Sequence, residues 1–254
     1  MDKIFMFQES YLDIDGGIDS KLVFETVSKY CRRNLDTWIQ VNNERMEVMS
    51  HTEQRYDIVP VGDIEFVRNW LKLVYNGNKM KPLEIPEELR ALVNRDYSIL
   101  KGKDIPLEKL KGKHFIKNAS ELKVWNNLLY YDRDISHMIE DDINYVVSDW
   151  VNFISEYRIF VMDDKVIGCE NYLGDPIVFP DENYIRKIIY TYKNCERPEA
   201  YTLDIGVYVN GNTQCTDLIE IHPFVSCGVY GFQEKELIPM LTKGFKWYVK
   251  ENTL

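Results

Sequence analysis

The fold is decided by two stretches near the C-terminus, Tyr201-Thr-Leu-Asp-Ile-Gly-Val-Tyr-Val209 and Leu218-Ile-Glu-Ile-His-Pro-Phe-Val-Ser-Cys-Gly-Val-Tyr-Gly231. Apolar residues alternate with other residues at the start of both stretches, which predicts two half-buried strands. Asp204 then lies on the face opposite its apolar neighbours. Glu220 and His222 are two residues apart and share one face of the second strand. The pattern predicts a hairpin with acidic groups on one face.

The register of this hairpin brings two carboxylates together. If residues 210–214 form the loop, Val209 pairs with Cys215 and Asp204 falls opposite Glu220. Facing carboxylates repel each other unless a cation or a proton joins them. Mg²⁺ prefers oxygen ligands of this kind, so the hairpin indicates a site for magnesium and a nucleotide.

The composition limits the classes of protein that this chain can belong to. Its 254 residues are 45% hydrophobic and 13% aromatic, enough for one compact unit or two closely packed lobes. A net charge of -10 argues against a general nucleic-acid binder. The five cysteines are scattered without a CxxC pair, which argues against structural zinc and a disulfide scaffold. No apolar run or leader pattern indicates a membrane, so we expect a soluble, cytoplasmic protein.

Strands and helices alternate over roughly residues 1–95, which predicts a small α/β lobe. The predicted elements are strands at Ile4–Phe7, Trp38–Val41, Met46–Met49 and Ile58–Gly62, a helix from Ser20 to Arg33, and a helix capped by Asp63 that ends near Gly77. The remainder, residues 96–254, is richer in strands. Its predicted helices are Ile185–Tyr192 and Glu234–Tyr248.

The single basic stretch of this acidic chain lies between residues 76 and 113. Its lysines are Lys79, Lys81, Lys101, Lys103, Lys109, Lys111 and Lys113. One interpretation is a solvated linker with a short helix over Glu87–Val93, because runs of charge are usually on the surface. The other is that some of these lysines face phosphates.

Lys117 and Arg158 are two further cations, and each lies in a segment whose apolar pattern predicts a strand. Lys117 lies in the run His114–Asn118, where its ammonium must reach water or an anion to avoid a desolvation cost. It is either an edge-strand lysine that points to solvent or a ligand for an anion. Glu156 and Arg158 share a strand face, either as a surface ion pair or as part of a site.

The motifs occur in an order that resembles the ATP-grasp superfamily. In chain order they are Phe115-Ile-Lys117, Lys123, Ser148-Asp-Trp-Val151, Glu156-Tyr-Arg158, Asp204 and Glu220-Ile-His222. The chain is similar, more narrowly, to the clade named for one arginine and two lysines, which is common in phage and bacterial genomes. Pro60–Phe66 and Ser226–Phe232 also look like motifs of that clade. The resemblance implies an α/β (α+β) ATP-grasp fold, with a pre-ATP-grasp lobe over residues 1–95 and antiparallel sheets over residues 96–254 that clasp the nucleotide.

The resemblance also implies where a nucleotide lies. Lys117 would contact the α- and β-phosphates, and Lys123 would also face phosphate. Adenine would lie against a hinge formed by Ser148, Asp149, Trp150 and Val151.

The resemblance implies that Lys117, Lys123 and Arg158 are the catalytic residues and that carboxylates hold a metal. Arg158 would neutralise the γ-phosphate and the acylphosphate formed from it, while Asp204 and Glu220 would hold Mg²⁺. Phosphoryl transfer depends mainly on positioning and on neutralised charge, which suits these residue types.

The chain departs from the superfamily pattern in two places. His222 stands where the superfamily usually has Asn, and nitrogen is a poorer ligand for Mg²⁺ than for Mn²⁺. His222 is therefore predicted either to join the metal ligands or to bind substrate or a metal-bound water. Residues 126–134 lack the glycine-rich run that many relatives close over the phosphates, so the lid must differ.

These expectations favour an ATP-dependent carboxylate–amine ligase that acts through an acylphosphate on a small molecule, an amino acid or a peptide. Two alternatives remain open. One is a nucleotide-binding regulatory protein that no longer catalyses ligation, and the other is an ATP-grasp kinase that phosphorylates a small molecule. A pocket that holds an amine beside the acylphosphate would distinguish the ligase from the kinase.

Overall fold

The computed structural model describes residues 3–12, 17–34, 36–77, 79–120, 128–130, 134–233 and 235–253. The strands are β1 (Ile4–Gln8), β2 (Thr37–Val41), β3 (Ile58–Val61), β4 (Tyr97–Lys101), β5 (His114–Asn118), β6 (Leu128–Tyr130), β7 (Asn144–Asp149), β8 (Ser155–Met162), β9 (Lys165–Gly174), β10 (Ala200–Asn210) and β11 (Thr213–Pro223). The helices are α1 (Gly17–Cys31), α2 (Asn43–Ser50), α3 (Ile64–Tyr75), α4 (Glu87–Arg90), α5 (Leu107–Lys111), α6 (Glu182–Tyr192) and α7 (Leu237–Thr253). Short 3₁₀ helices cover Glu9–Leu12, Glu53–Asp57, Gly102–Asp104 and Ser136–Met138.

The described strands form three sheets. The first is parallel, with the order β2-β1-β3. The other two are antiparallel, with the orders β4-β7-β5-β6 and β11-β10-β8-β9. This mixed architecture confirms the predicted α/β class with antiparallel sheets. Among the described residues, no helix combines the length and the apolar character that a membrane span requires.

The parallel sheet shares its core with the last helix of the chain. Phe5 and Phe7 of β1 are fully buried, and the same apolar cluster contains Leu237 and Tyr248 of α7. The predicted N-cap of α3 is confirmed, because the Asp63 carboxylate accepts a hydrogen bond from the backbone N–H of Phe66. The N-terminal lobe therefore packs against residues far along the chain, and a boundary at residue 95 stays a prediction.

The strand predicted over Met46–Met49 is wrong, because these residues lie in α2. Met46 is buried and Val48 is 67% exposed, whereas a strand would place both on one face. The Asn42 side chain accepts a hydrogen bond from the backbone N–H of Arg45 and caps the helix. A run of four residues is too short for its periodicity to separate helix from strand.

The basic stretch holds a strand that the pattern did not indicate. β4 lies inside it and pairs with β7. Three of its lysines form ion pairs on or near the surface: Lys103 with Asp142, Lys109 with Asp96, and Lys111 with Asp134. For these three lysines the structure supports a solvated surface rather than a phosphate site.

We expect Gly244→Ala to destabilise the protein, although alanine is the better helix former by about 1 kcal/mol. A Cβ at Gly244 in α7 would stand 2.3 Å from the carbonyl oxygen of Phe224, and backbone cannot move aside cheaply. The expected loss in the free energy of unfolding is about 1–3 kcal/mol, measured by urea titration. The exposed helix position Lys246→Ala is the matched control and should change stability little. A stabilised Gly244→Ala protein would contradict this packing.

Candidate functional site

The turn of the β10–β11 hairpin is tighter than predicted. Val209 pairs with Gln214, and Cys215 pairs instead with Tyr208. Gly211 has a φ of 62° in the turn, a conformation that glycine adopts without strain. The predicted pairing of Val209 with Cys215 is therefore wrong by one residue.

A β-bulge in β11 restores the predicted facing of the two carboxylates. Ile205 pairs with Leu218, whereas Asp204 pairs with Glu220, which leaves Ile219 as an extra residue. Bulges re-aim the side chains beside them. As a result, the consecutive residues Ile219 and Glu220 both line one cavity, while Leu218 is buried in the core.

This cavity lies between the two antiparallel sheets and has a volume of about 430 Å³. All four predicted hinge residues line it, together with Arg158, Asp204 and Glu220. Its other lining residues are Arg95, Phe115, Asn152, Phe153, Glu156, Tyr172, Leu173, Ile219 and Tyr230. The lining combines apolar and aromatic side chains with charged groups, which is typical of a small-molecule site.

Arg158 and Asp204 form a buried, two-pronged ion pair. Arg158 Nε donates to Asp204 Oδ1 at 2.8 Å, and Nη2 donates to Oδ2 at 2.7 Å. Arg158 Nη1 also donates to the carbonyl oxygen of Gly228 at 2.9 Å. Burial works against the charge on Arg158, but the hydrogen bonds and the charge of Asp204 raise its pKa. The guanidinium is thus held in one orientation at the end of the cavity.

Two stacked tyrosine rings cover this guanidinium. The rings of Tyr172 and Tyr230 lie 4.8 Å apart, and Arg158 Cζ lies 4.9 Å from the centre of the Tyr230 ring. The hydroxyl of Tyr172 donates to Glu156 at 2.7 Å. The ion pair considered between Glu156 and Arg158 is not formed, because Asp204 holds the guanidinium.

Lys117 reaches from β5 to the other antiparallel sheet. Its Nζ lies 2.8 Å from Glu220 Oε2, and the two side chains are 21% and 30% exposed. Burial would lower the pKa of Lys117, but the charge of Glu220 and the hydrogen bond to it raise the pKa overall. Lys117 is therefore not a solvent-directed lysine. It lies beside the carboxylate pair, as the sequence order suggested.

Glu84 adds a carboxylate that the sequence pattern did not single out. Tyr97 donates a hydrogen bond to Glu84 Oε2 at 3.0 Å, and Oε1 is buried without a hydrogen-bond partner among the described residues. Burial raises the pKa of Glu84, while the charge of Lys117 opposes the rise. Glu84 lies in the Pro- and Lys-rich stretch, where nothing local indicates a buried acid.

The pKa values of the two facing carboxylates are shifted in opposite directions. Burial is the main cause that raises the pKa of Asp204, and the charge of Glu220 adds to it against the effect of Arg158. Lys117 holds the pKa of Glu220 below its usual range despite burial. Together with Glu84, three carboxylates surround the two cations, so the cluster attracts further positive charge.

The metal ligands predicted here are Asp204, Glu220 and His222. The two carboxylates offer the oxygen donors that Mg²⁺ prefers. No three His, Cys, Asp or Glu side chains converge as a metal site within the part of the chain that the structure describes. His222 is buried, with Nδ1 2.8 Å from the carbonyl oxygen of Pro223, so Nδ1 carries the proton and Nε2 the lone pair. The metal roles of all three stay predictions.

The remaining predicted residues divide between the hinge and the lid. Ser148 is buried and its hydroxyl accepts a hydrogen bond from Arg95 Nε, a residue that the sequence analysis missed. Lys113 lies 5.5 Å from the centre of the Trp150 ring. Lys123 lies outside the described residues, as does most of the predicted lid over 126–134.

A comparison with families of known proteins gives a match. A family model for an ATP-grasp domain, the second family of the clade named for one arginine and two lysines, matches residues 90–240. No curated protein matches the chain.

Several solved structures share the fold at low sequence identity. D-alanine–D-alanine ligase from Bacillus anthracis is 14% identical with a TM-score of 0.56, and the match covers 99% of both chains. N5-carboxyaminoimidazole synthetase from Staphylococcus aureus is 13% identical with a TM-score of 0.58, over 96% of this chain and 78% of the other. The ATP-grasp ligase PsnB, complexed with minimal precursor, is 11% identical with a TM-score of 0.52, over 96% of this chain and 100% of the other. At these identities the likeness shows the fold alone.

We expect His222→Asn to remove part of the acid sensitivity of the fold. Burial lowers the pKa of His222 from 6.5 to about 4, so between these values the unfolded chain binds more protons than the folded protein. As the pH falls through this window, the free energy of unfolding should therefore decrease more in the wild type than in the variant. The extra decrease is up to about 1.4 kcal/mol per pH unit. Urea unfolding of both proteins between pH 7 and 4 measures the difference. A difference that does not change with pH would contradict a buried, neutral His222.

Proposed function

Because the chain belongs to the ATP-grasp domain family matched above, in the clade named for one arginine and two lysines, we propose that it is an ATP-dependent carboxylate–amine ligase. One observation carries this proposal: Lys117 and Arg158 meet the facing carboxylates Asp204 and Glu220 at one end of a cavity that reaches the hinge. The solved structures with the same fold include ligases, which supports the reaction class.

The nucleotide base fits the apolar end of the cavity. Phe115, Val151 and Ile219 line the cavity together with the hinge and offer apolar contact to the base. Phe115 and Lys117 are two residues apart on β5 and share a face. A base against Phe115 therefore places its phosphates toward Lys117.

Lys117 and Arg158 act on the phosphates in this proposal. Arg158 uses three of its five N–H donors within the chain, on Asp204 and Gly228, which leaves donors for a phosphoryl oxygen. Its guanidinium stays charged at every accessible pH, so it neutralises charge both when the acylphosphate forms and when it breaks down. Lys117 would move from Glu220 to the phosphates as a compact point charge.

Asp204 and Glu220 fit a divalent cation through their facing carboxylate oxygens. A Mg²⁺ ion held there would neutralise charge on the phosphate oxygens, and Mn²⁺ suits the site equally if His222 joins the ligands. The surplus of carboxylates over cations in the cluster supports this role.

The proposed reaction has two steps that these residues serve in turn. A carboxylate oxygen of the substrate attacks the γ-phosphorus of ATP, and the bond from that phosphorus to the leaving oxygen of ADP breaks. An amine nitrogen then attacks the acyl carbon, phosphate leaves with the bonding electron pair, and the nitrogen loses a proton. The cavity between the sheets limits water, which would otherwise hydrolyse the acylphosphate.

The acceptor is a small molecule, an amino acid or a peptide, and no nucleic acid or membrane takes part. A second candidate function is a nucleotide-binding regulatory protein without ligase activity. The observation that favours it is the internal neutralisation of the site, since each of the two facing carboxylates already has a cation of the chain as its partner.

One assay separates ligase, kinase and regulatory protein. The protein is incubated with Mg-ATP and pools of amino acids and short peptides, while ADP is followed by chromatography and products by mass. A ligase yields substrate-stimulated ADP and an amide, and EDTA abolishes both. A phosphorylated product without an amide would favour the kinase. Nucleotide binding without substrate-stimulated ADP would overturn both catalytic functions.

We expect Lys117→Ala to lower ADP formation by about 100-fold or more, because a phosphate-binding cation in a water-poor site contributes several kcal/mol to the transition state. Lys103→Ala is the matched control, since Lys103 forms a surface ion pair with Asp142. Initial rates at saturating ATP measure the effect. Unchanged ADP formation in Lys117→Ala would show that the site is assigned wrongly.

A further inference from the structure

The guanidinium of Arg95 lies where the two antiparallel sheets meet the cavity. Its side chain is 7% exposed and pairs with Asp217, which is fully buried, at 2.6 Å. Arg95 Nε also donates to the hydroxyl of Ser148 at 2.9 Å. Neither the fold nor the proposed reaction by itself accounts for a buried cation at this point.

Arg95 makes two further contacts, and both are to the β-bulge. Nη1 donates to the carbonyl oxygen of Leu218 at 2.6 Å, and Nη2 donates to that of Ile219 at 3.0 Å. Carbonyl groups of consecutive residues point in opposite directions in a regular strand, and a bulge leaves part of the ladder unpaired. The planar guanidinium holds these two consecutive carbonyls and so supports the bulged shape.

Asp217 fixes the guanidinium from the other side. Its Oδ1 accepts hydrogen bonds from the backbone N–H groups of Asn94 and Leu218, each at 3.0 Å. The hydroxyl of Tyr184 shares its proton between the carbonyl oxygen of Leu92 at 2.8 Å and Asp217 Oδ1 at 3.1 Å. A buried carboxylate with this many donors is held in one orientation. Arg95 is therefore anchored independently of any ligand.

The bulge matters because it decides what faces the cavity. With it, Ile219 and Glu220 both line the cavity, and Glu220 lies opposite Asp204. A shift of one residue along a strand turns each side chain to the other face. Loss of the bulge would therefore remove either the apolar wall or the carboxylate from the site.

We propose that Arg95, anchored by Asp217, is a positioning residue that holds the β-bulge and thereby sets Ile219 and Glu220 at the nucleotide site. Its bond to Ser148 ties the same bulge to the hinge, so the base end and the metal end of the site are kept in one arrangement. This inference rests on the proposed function for its link to nucleotide and metal, and on the contacts alone for its link to the bulge.

The first measurement tests the contacts without any ligand. Arg95→Lys keeps the charge opposite Asp217 but lacks the planar fork that reaches two carbonyls. Amide hydrogen exchange over residues 216–222 should become about ten-fold faster, the size expected when hydrogen bonds to a charged group are lost. Arg197→Lys is the matched control, because Arg197 forms a comparable ion pair with Asp164 away from the cavity, and it should leave this segment unchanged.

Unchanged exchange over residues 216–222 in a folded Arg95→Lys protein would overturn the proposal. If that variant does not fold, Ser148→Ala serves instead, since it removes the partner of Arg95 Nε and contacts no backbone group of residues 216–222. Faster exchange in the same segment is then expected, and unchanged exchange again overturns the proposal.

The second measurement tests the link to the site. Fluorescent ADP is titrated with and without Mg²⁺, and the Mg²⁺ concentration for half-saturation should rise about ten-fold in Arg95→Lys, as is typical when the groups that orient a metal ligand are lost. Metal-free binding of the nucleotide is titrated in parallel, and its affinity corrects the Mg²⁺ requirement for any change in the contact between the base and Ile219.

The outcomes separate this inference from the proposed function. A wild-type protein that binds no nucleotide would overturn the proposed function, and the exchange measurement would still decide whether Arg95 holds the bulge. A wild-type protein that binds Mg-ADP, with an unchanged Mg²⁺ requirement in Arg95→Lys, would overturn the positioning role.

Discussion

Two ion pairs govern the arrangement of the site, Arg158 with Asp204 and Lys117 with Glu220. The first lies within one antiparallel sheet, between the neighbouring strands β8 and β10. The second joins β5 of the other sheet to β11 and so bridges the cavity. Charges with reduced access to water are costly unless they are paired, and the pair between Lys117 and Glu220 links the two sheets. The cavity lies in the space between these sheets.

The same pairing explains how a site for anions can exist in an acidic protein. The net charge of -10 would repel a polyphosphate, but the site holds cations whose present partners are carboxylates of the chain. When a nucleotide binds together with a divalent cation, the carboxylates can bind the metal and the cations of the chain can bind the phosphates. Burial is the main cause that raises the pKa of Asp204 and of Glu84, and the nearby charge of Glu220 raises both further.

Predictions from local pattern succeeded where a residue's neighbours in the chain decide its structure. The cap of α3 by Asp63 and the strand of Lys117 follow from short-range rules of capping and alternation. The facing of Asp204 and Glu220 was also correct, although the turn is one residue shorter than predicted and the bulge at Ile219 compensates for it. Local pattern failed for α2, where four residues could not separate a helix from a strand, and it missed β4, whose partner β7 lies far along the chain.

The sequence by itself determined the class of the fold and the residue types of the site, because alternation and the order of charged motifs are written along the chain. The tertiary structure alone decided which charges meet. Glu84 and Arg95 reach the site through partners far away in sequence, and no local periodicity records such contacts. The phosphate role of Arg158 stays a prediction, and its orientation in the structure is fixed by Asp204 and by the carbonyl oxygen of Gly228. The physical reason is that the periodicity of apolar residues indicates which face of a strand a side chain lies on. The partner of a buried charge depends instead on which strands pack together.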